Sequence, residues 1–293
     1  MAALIWGTAF VAQSVSADLV PPFTFNTVRS AVAIVPAGIM LAVFTAVQKR
    51  RGTYERPSGG MRSLIIGGIF CGTVLCVASS FQQTGLGETD AGKASFITAL
   101  YIVLVPLLGL LFKRRTGITT AISVAIAVVG MYLLCIGEDF SVQGSDMYVL
   151  VCALCFAVHI LVIDYFAPKT DGIALSLVQF IVCAIESGIL AVFFERPSLD
   201  SIIASLGSIL YVGIFSSGVA YTLQILAQKG SDPTVVSLLL SLESVFGALA
   251  GAIILHEVMS GREYLGCVLM LCAVMLAQIP TSVWKKLFAK KAK

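Results

Sequence analysis

Long apolar runs constrain the fold of this chain more than any other feature. Ten of them follow one another, separated by polar or turn-rich junctions, at residues 1–17, 22–46, 63–84, 91–112, 117–136, 146–166, 172–194, 203–228, 234–255 and 261–281. About 20 apolar residues in a helix cross the roughly 30 Å hydrocarbon core of a bilayer. None of the runs alternates polar and apolar residues as a half-buried strand does. The sequence therefore predicts an all-α integral membrane protein with ten transmembrane helices.

The charged residues also indicate a membrane protein. They make up only 12% of the 293 residues, and 58% are hydrophobic, whereas soluble domains carry about 25% charged residues. The net charge of +3 is small and gives no indication of a nucleic-acid partner. We therefore expect the lipid bilayer to be the main partner of the chain, and the sequence leaves its oligomeric state open.

The distribution of lysine and arginine predicts the orientation. If the N-terminus is cytoplasmic, 15 of the 19 basic residues lie in inside loops and the tail, three lie in outside loops and Arg29 lies within a span. Basic residues concentrate in cytoplasmic loops of membrane proteins. We therefore expect a multi-pass protein of the plasma (cytoplasmic) membrane with both termini in the cytoplasm. Residues 282–293 would form a basic tail on the inner leaflet.

The two halves of the chain contain a weak internal repeat. Matches at a shift of 150 residues, and later of 142, include Ala3/Ala153, Val28/Val178, Gly38/Gly188, Ser95/Ser237 and Leu100/Leu242. Each half has five predicted spans, and an odd number makes the second half insert upside down relative to the first. The sequence predicts a first five-helix repeat at residues 1–137 and a second, inverted one at residues 144–281.

The ninth apolar run contains the clearest functional signals. Asp232 is a suitable N-cap and Pro233 suits the first helical position. Gly247 and Gly251 have the G-x-x-x-G spacing that lets a second helix approach closely. Glu243 lies near the middle of the run, and an ionisable residue at membrane depth is a functional candidate by default. The alternative is a structural carboxylate that neighbouring hydroxyl groups hold in place.

Short motifs in both halves resemble the drug/metabolite transporter superfamily, EamA type. In the second half they are Leu242-Glu243-Ser244-Val245-Phe246, His256-Glu257 and Tyr264-Leu265-Gly266, and in the first half Ser95-Phe96-Ile97 through Val105-Pro106. Ser244 stands where the family pattern has proline, and His256 where it has glycine. The resemblance implies a small-solute exporter or exchanger that works by alternating access around a cavity between the halves.

Polar and aromatic residues within the spans are the candidate substrate-binding residues, and they are Trp6, Gln13, Gln82, Gln83, Tyr101, His159, Tyr221, Gln224 and Glu243. A few polar groups on mostly apolar walls suit a small organic solute. Tyr101 and Glu243 occupy equivalent repeat positions, so a pseudo-two-fold axis would bring them together. The structural alternative is interfacial anchoring for Trp6 and Tyr221 and hydrogen bonding between helices for the glutamines. For His159 it is a histidine whose hydrogen bonds are satisfied within the helix bundle.

Two further sets of residues have mainly structural interpretations. Arg29 and Glu186 lie in the outer halves of their spans, where each needs a partner or access to water. They could pair with each other, and for Arg29 we prefer a structural role. Glycines 67, 68 and 72 in the third run predict close helix packing, with a sliding surface as the alternative.

These observations favour a secondary transporter of a small metabolite such as an amino acid, acting in efflux. No Walker motif is present in the sequence, and we expect no cofactor, no metal and no catalytic residue. If transport is coupled to an ion, we expect that ion to be a proton that binds to and leaves Glu243 or His159. The alternatives are an intramembrane lipid-modifying enzyme and a non-transporting membrane receptor.

Overall fold

The first half of the protein is a set of helices connected by short loops. The computed structural model describes residues 1–53, 58–89, 91–113, 116–136, 143–254 and 259–279, and this part of the chain contains no β-strand. The first-half helices are α1 (Ala2–Ala17), α2 (Pro22–Arg51), α3 (Gly60–Leu86), α4 (Ala91–Ala99), α5 (Tyr101–Leu111) and α6 (Ile118–Cys135).

The second half has the same order of long and divided helices. These are α7 (Gly144–Phe166) with a 3₁₀ turn at Ala167–Lys169, α8 (Gly172–Phe194), α9 (Leu199–Ala204), α10 (Leu206–Tyr211), a π-helix at Val212–Tyr221, α11 (Thr222–Gln228), α12 (Pro233–Leu240), α13 (Glu243–Ile254) and α14 (Gly261–Ala277).

Within the described residues, eight helical segments are long and apolar enough to cross a membrane. Helix α1, with 16 residues, and α14, with 17, are shorter. The predicted all-helical membrane fold is confirmed, and the protein is a multi-pass membrane protein. The His256-Glu257 motif and the basic tail at 282–293 lie outside the described residues.

The predicted start of the ninth run is confirmed by a capped helix end. The Asp232 carboxylate accepts hydrogen bonds from the backbone N–H groups of Thr234 at 2.8 Å and Val235 at 3.3 Å, and Pro233 occupies the first position of α12. Such a cap satisfies two of the four amides that a helix start leaves unpaired.

Two predicted spans, at 91–112 and 234–255, are divided rather than continuous. The first is interrupted at Leu100, where the Leu100 and Val103 amides donate to carbonyl groups three residues earlier. The second is interrupted before Glu243, where the Ser244 amide likewise donates to Ser241. Leu100 and Leu242 are repeat equivalents, so both halves break at the same place. The second break forms although Ser244 replaces the proline of the family pattern.

The predicted span at 203–228 also departs from a regular helix. It is interrupted at Ser205, and its centre is the ten-residue π-helix. Within that π-helix a Cβ atom on Gly218 would lie 2.4 Å from Pro36 Cγ, and one on Gly213 would lie 2.7 Å from Val32 Cγ1. The wider π-helical turns are therefore packed directly against α2, and π-helices are frequent at functional sites.

The helix contacts of one half are repeated in the other with the partners exchanged. Helix α3 packs against α7 and α8, and the segment α10–α11, which is its counterpart, packs against α1 and α2. Helix α2 packs against its own counterpart α8, and α6 packs against α14. This exchange of partners is what an internal two-fold repeat requires.

Glycines allow several of these helices to approach closely. A Cβ atom on Gly7 would lie 2.5 Å from the Glu243 carbonyl oxygen, and Gly247 lies opposite it. The small-residue face predicted at Gly247 thus packs against α1. The α3 glycines also have the predicted packing role, because a Cβ atom on Gly67, Gly68 or Gly72 would lie within 2.8 Å of a bulky side chain of α7 or α8. These side chains are Phe166, Val178 and Val182.

Candidate functional site

A narrow cavity lies where the two halves meet. The space between its side chains is about 500 Å³, of which about 40 Å³ can be reached by the centre of a water molecule, which is room for roughly three waters. The residues that line it are Trp6, Phe10, Gln13, Arg29, Gln82, Thr98, Tyr101, Phe156, His159, Ile160, Ser216, Tyr221, Gln224, Leu240 and Glu243. In this conformation the cavity is too small for most metabolites.

Both halves contribute to the cavity wall from equivalent positions. Ten of the 15 lining residues form five pairs at the repeat shifts of 150 and 142 residues, namely Trp6/Phe156, Phe10/Ile160, Gln82/Gln224, Thr98/Leu240 and Tyr101/Glu243. The repeat equivalents of the other five lining residues do not line the cavity. The cavity is therefore built around the relation between the two halves.

Tyr101 and Glu243 meet in the cavity wall. Each is the first residue after the break in its span, and the Tyr101 hydroxyl donates to Glu243 Oε1 at 3.0 Å. Both side chains are at least 96% buried. The predicted proximity of these two repeat equivalents is confirmed, and the helix breaks are what place them beside the cavity.

Arg29 lines the cavity from α2. Its Nη1 donates to Gln13 Oε1 at 2.8 Å, and its guanidinium lies 5.7 Å from the centre of the Phe25 ring. It does not pair with Glu186, which instead accepts a hydrogen bond from Thr73 at 2.6 Å. A guanidinium has five N–H donors in a fork that matches a carboxylate. Arg29 can therefore hold Gln13 and still bind an anionic group.

Aromatic side chains form one wall of the cavity. The rings of Trp6 and Tyr221 lie 4.8 Å apart, and Tyr221 also contacts the rings of His159 and Phe180 edge-on. Trp6 Nε1 donates to the Ser216 carbonyl oxygen at 3.2 Å. This carbonyl belongs to the π-helix, so the π-helix helps to fix the indole ring.

Three polar atoms of the cavity wall are buried and have no hydrogen-bond partner in the described structure. They are Thr98 Oγ1, His159 Nδ1 and Gln224 Oε1. His159 Nε2 lies 3.2 Å from Gln179 Oε1. In a neutral imidazole whose Nε2 donates to this oxygen, Nδ1 is an acceptor. Gln224 Nε2 donates to Gln228 Oε1 at 3.0 Å. Because buried polar groups are normally paired, these atoms are positioned to bind a solute or water.

Eight of the nine predicted site residues line the cavity, and Gln83 does not. Its side-chain amide donates to the Gln13 carbonyl oxygen at 3.2 Å, so it connects α3 to α1 behind the wall. The lining residues that the sequence interpretation missed are Phe10, Arg29, Thr98, Phe156, Ile160, Ser216 and Leu240. The repeat register could have found Phe156, because it is the equivalent of Trp6.

The site contains two ionisable groups of opposite type, the Arg29 guanidinium and the Glu243 carboxyl group, among polar and aromatic side chains. In the part of the chain that the structure describes, no group of three or more His, Cys, Asp and Glu residues is placed to hold a metal ion. The arrangement is suited to binding and releasing a small molecule with both polar and apolar parts.

Comparison with protein families agrees with this architecture. The model of the EamA-like transporter family matches residues 1–136 and 143–278. The chain belongs to this family. The family forms part of the drug/metabolite transporter superfamily, so the resemblance noted in the sequence is confirmed, and the chain is a transporter homologue.

Individual relatives and a solved structure are similar over most of their length. An uncharacterized transporter of Archaeoglobus fulgidus is 28% identical over 280 residues, which cover 95% of this chain and 84% of that protein. A chloroplastic WAT1-related protein of Arabidopsis thaliana is 25% identical over 288 residues, which cover 94% of this chain and 67% of that protein. A protein crystal structure has a TM-score of 0.74 at 19% identity and 94% coverage of both chains, which supports the fold.

Proposed function

We propose that this protein is a secondary transporter that exports or exchanges a small amphipathic zwitterion, such as an amino acid, by alternating access. The observation that carries the proposal is the cavity whose wall both halves form from equivalent positions, with one cation and one carboxylate in it. A pathway between two related halves is typical of secondary transporters.

In this proposal the solute is held at both of its charged ends. Arg29 would bind a carboxylate through the N–H groups that Gln13 does not use. Glu243 and the unpartnered acceptors His159 Nδ1 and Gln224 Oε1 would receive N–H donors, as an ammonium group offers. The apolar part of the solute would pack against Trp6 and Tyr221.

The two halves would be inverted repeats, at residues 1–137 and 144–281, that move relative to each other. At the end that we propose to be external, Lys93 of the first half and Asp146 of the second form an ion pair of 2.5 Å, and Thr89 donates to Ser145 at 2.9 Å. At the same end, the Glu195 carboxylate accepts hydrogen bonds from the backbone N–H groups of Phe23 and Thr24 at the start of α2. Opening to the outside would require these contacts to separate.

Coupling to a proton is a further part of the proposal. Glu243 or His159 would take up and release the proton as the halves exchange orientation. Both termini would lie in the cytoplasm, in the plasma membrane, as the basic loops suggest. If Glu243→Gln, properly folded, transports with an unchanged pH dependence, and His159→Gln does the same, the coupling proposal is wrong.

An efflux screen tests the transport function itself. Proteoliposomes are loaded with a metabolite extract, and mass spectrometry identifies compounds that leave faster than from protein-free vesicles. We expect one or a few zwitterionic compounds to leave with saturable rates. Arg29→Met should slow this efflux more than about 100-fold, and Gln179→Met, a change at the equivalent position outside the wall, should slow it less than about ten-fold. If no compound leaves faster under several pH and ion gradients, the function is wrong.

A further inference from the structure

A second recess of the protein is a groove on its side, between α2 and α3 of the first half and the start of α8 of the second. It is a groove of about 890 Å³, by the same measure that gives about 40 Å³ for the central cavity. Its walls come from the C-terminal half of α2, the start of α3 and the start of α8. The lining residues are Gly38, Leu41, Ala42, Thr45, Ala46, Lys49, Gly60, Met61, Leu64, Thr170, Asp171 and Ala174.

The groove lies beside the C-terminal part of α2, which has no buried residue after Ala37. The last buried residue of this helix is Ala37, which follows Pro36 directly. Beyond it, apolar side chains are exposed on the outer surface of the helix, with Ile39 at 59% and Phe44 at 50%. A proline in a helix interior removes a backbone hydrogen bond and commonly produces a kink. The groove therefore faces the membrane.

The mouth of the groove is cationic and its depth is apolar. Lys49 lines the groove, and Arg50 and Arg51 follow it in the chain. Asp171 is the carboxylate in the lining, and its Oδ1 accepts from two backbone amides of α8 at 2.9 Å each. This carboxylate thus caps α8. The remaining walls are aliphatic, methionine and threonine side chains, with two glycines.

A second lateral groove provides an internal comparison. It lies between α3, α5 and α7, measures about 630 Å³, and is lined by Phe70, Leu108, Leu111, Phe112, Val158, Leu161, Val162, Tyr165 and Phe166. None of these side chains is charged. Lys169 Nζ lies 3.1 Å from the centre of the Tyr165 ring, so this groove has a lysine beside it. Both grooves suit acyl chains, but of the two linings that of the α2–α3–α8 groove is the one that contains a lysine, Lys49.

We propose that the α2–α3–α8 groove is a binding site for an anionic phospholipid. The phosphate of the headgroup would lie at Lys49, within the field of the neighbouring basic residues, and one acyl chain would lie along Leu41, Ala42 and Leu64. Basic pockets between transmembrane helices bind anionic headgroups in this way. This proposal is independent of the transport function, because it requires neither the central cavity nor a solute.

Thermal unfolding of the purified, delipidated protein tests the site. Phosphatidylglycerol and phosphatidylcholine are added separately in detergent, and the concentration that gives half of the stabilisation is measured. We expect phosphatidylglycerol to stabilise the wild type at lower concentration than phosphatidylcholine. Lys49→Gln should raise the required phosphatidylglycerol concentration about five-fold, the effect of one basic residue near an anionic lipid.

Two further variants separate the groove from general attraction to charge. Gly38→Leu should abolish the preference for phosphatidylglycerol, because a side chain there would enter the groove and a Cβ atom meets nothing within 4 Å. Lys113→Gln removes a charge from the end of another span, outside both the lining and the basic cluster at Lys49, and should keep the preference. The proposal is overturned if the two lipids act equally, if Lys113→Gln matches Lys49→Gln, or if Gly38→Leu changes nothing.

Discussion

The two halves of the protein share a scaffold and differ in the chemistry that they bring to the cavity. Asn26 of the first half donates to Ser80 Oγ at 3.3 Å, and at the equivalent positions Ser176 and Thr222 are 2.7 Å apart. Ser80 and Thr222 each also donate to the carbonyl group four residues earlier, at 2.7 Å. The contacts that hold α2 to α3, and α8 to α11, are therefore of the same kind.

The charged groups do not follow this symmetry. Arg29 lines the cavity in the first half, whereas its equivalent Gln179 is neutral and bonds to His159 behind the wall. Tyr101 of the first half faces its equivalent Glu243, a carboxylate. This comparison indicates that the internal repeat determines where the cavity lies. The side chains that differ between equivalent positions determine which chemical groups the cavity can bind. The predictions below test this separation.

The largest difference is expected between Arg29→Met and Gln179→Met. Removing the guanidinium leaves a bound carboxylate without its partner, which costs about 2–5 kcal/mol, so transport should fall more than about 100-fold. The Gln179 variant should lose less than about ten-fold. Initial efflux rates of the compound found in the screen measure both. Equal losses would mean that Arg29 has no special role in binding.

Glu243→Gln and Tyr101→Phe form the second pair. A hydrogen bond to a charged group is worth about 1.5–3 kcal/mol and a neutral one about 1 kcal/mol. We therefore expect roughly 10- to 100-fold slower transport for Glu243→Gln and about five-fold for Tyr101→Phe. Efflux at fixed pH, with variant amounts matched after thermal stability is checked, distinguishes them. A larger loss for Tyr101→Phe would contradict the assignment.

Gly7→Ala tests the packing of α1 on α13. The new Cβ would lie 2.5 Å from a backbone oxygen and 2.6 Å from a backbone nitrogen of α13, so the helices must move apart. We expect a loss of about 1–3 kcal/mol in unfolding free energy. The equivalent position already carries Ala157, fully buried, and Ala157→Gly should cost only about 0.5–1 kcal/mol. Unfolding in a denaturant series compares the two.

We expect the smallest effects from the removal of one hydroxyl group in each half, and we expect the two losses of stability to be equal. Ser80→Ala and Thr222→Val remove the equivalent hydroxyl groups, and each should lower stability by about 1 kcal/mol with little change in substrate preference. Thermal unfolding and the efflux screen measure these outcomes. A change of preference in one variant alone would show that the scaffold itself is not symmetric in function.

The sequence predicted much of the helix arrangement because apolar length and helix caps are local signals. The run at 172–194 coincides with α8 at Gly172–Phe194, and Asp232 caps α12 as predicted. The meeting of Tyr101 with Glu243 followed from the repeat shift. These features depend on residues close in the chain or on counting within the repeat.

The helix breaks and the inward face of each helix could not be predicted. No proline or glycine marks the break at Leu100, so the local sequence gives no signal for it. Lipid and protein interior are both apolar, so hydrophobic periodicity does not show which face of a membrane helix points inward. For this reason the sequence does not show that Arg29 lines the cavity. It also does not show that Gln82 lines the cavity whereas its neighbour Gln83 does not.

Substrate protection of engineered cysteines tests most directly whether both halves line one pathway. Thr98→Cys and Leu240→Cys place thiols at equivalent cavity positions, in a variant whose native cysteines are replaced and which still transports. We predict that the transported compound slows alkylation at both positions with the same concentration dependence. If neither position is protected while transport is saturated, the cavity is not the site of the solute.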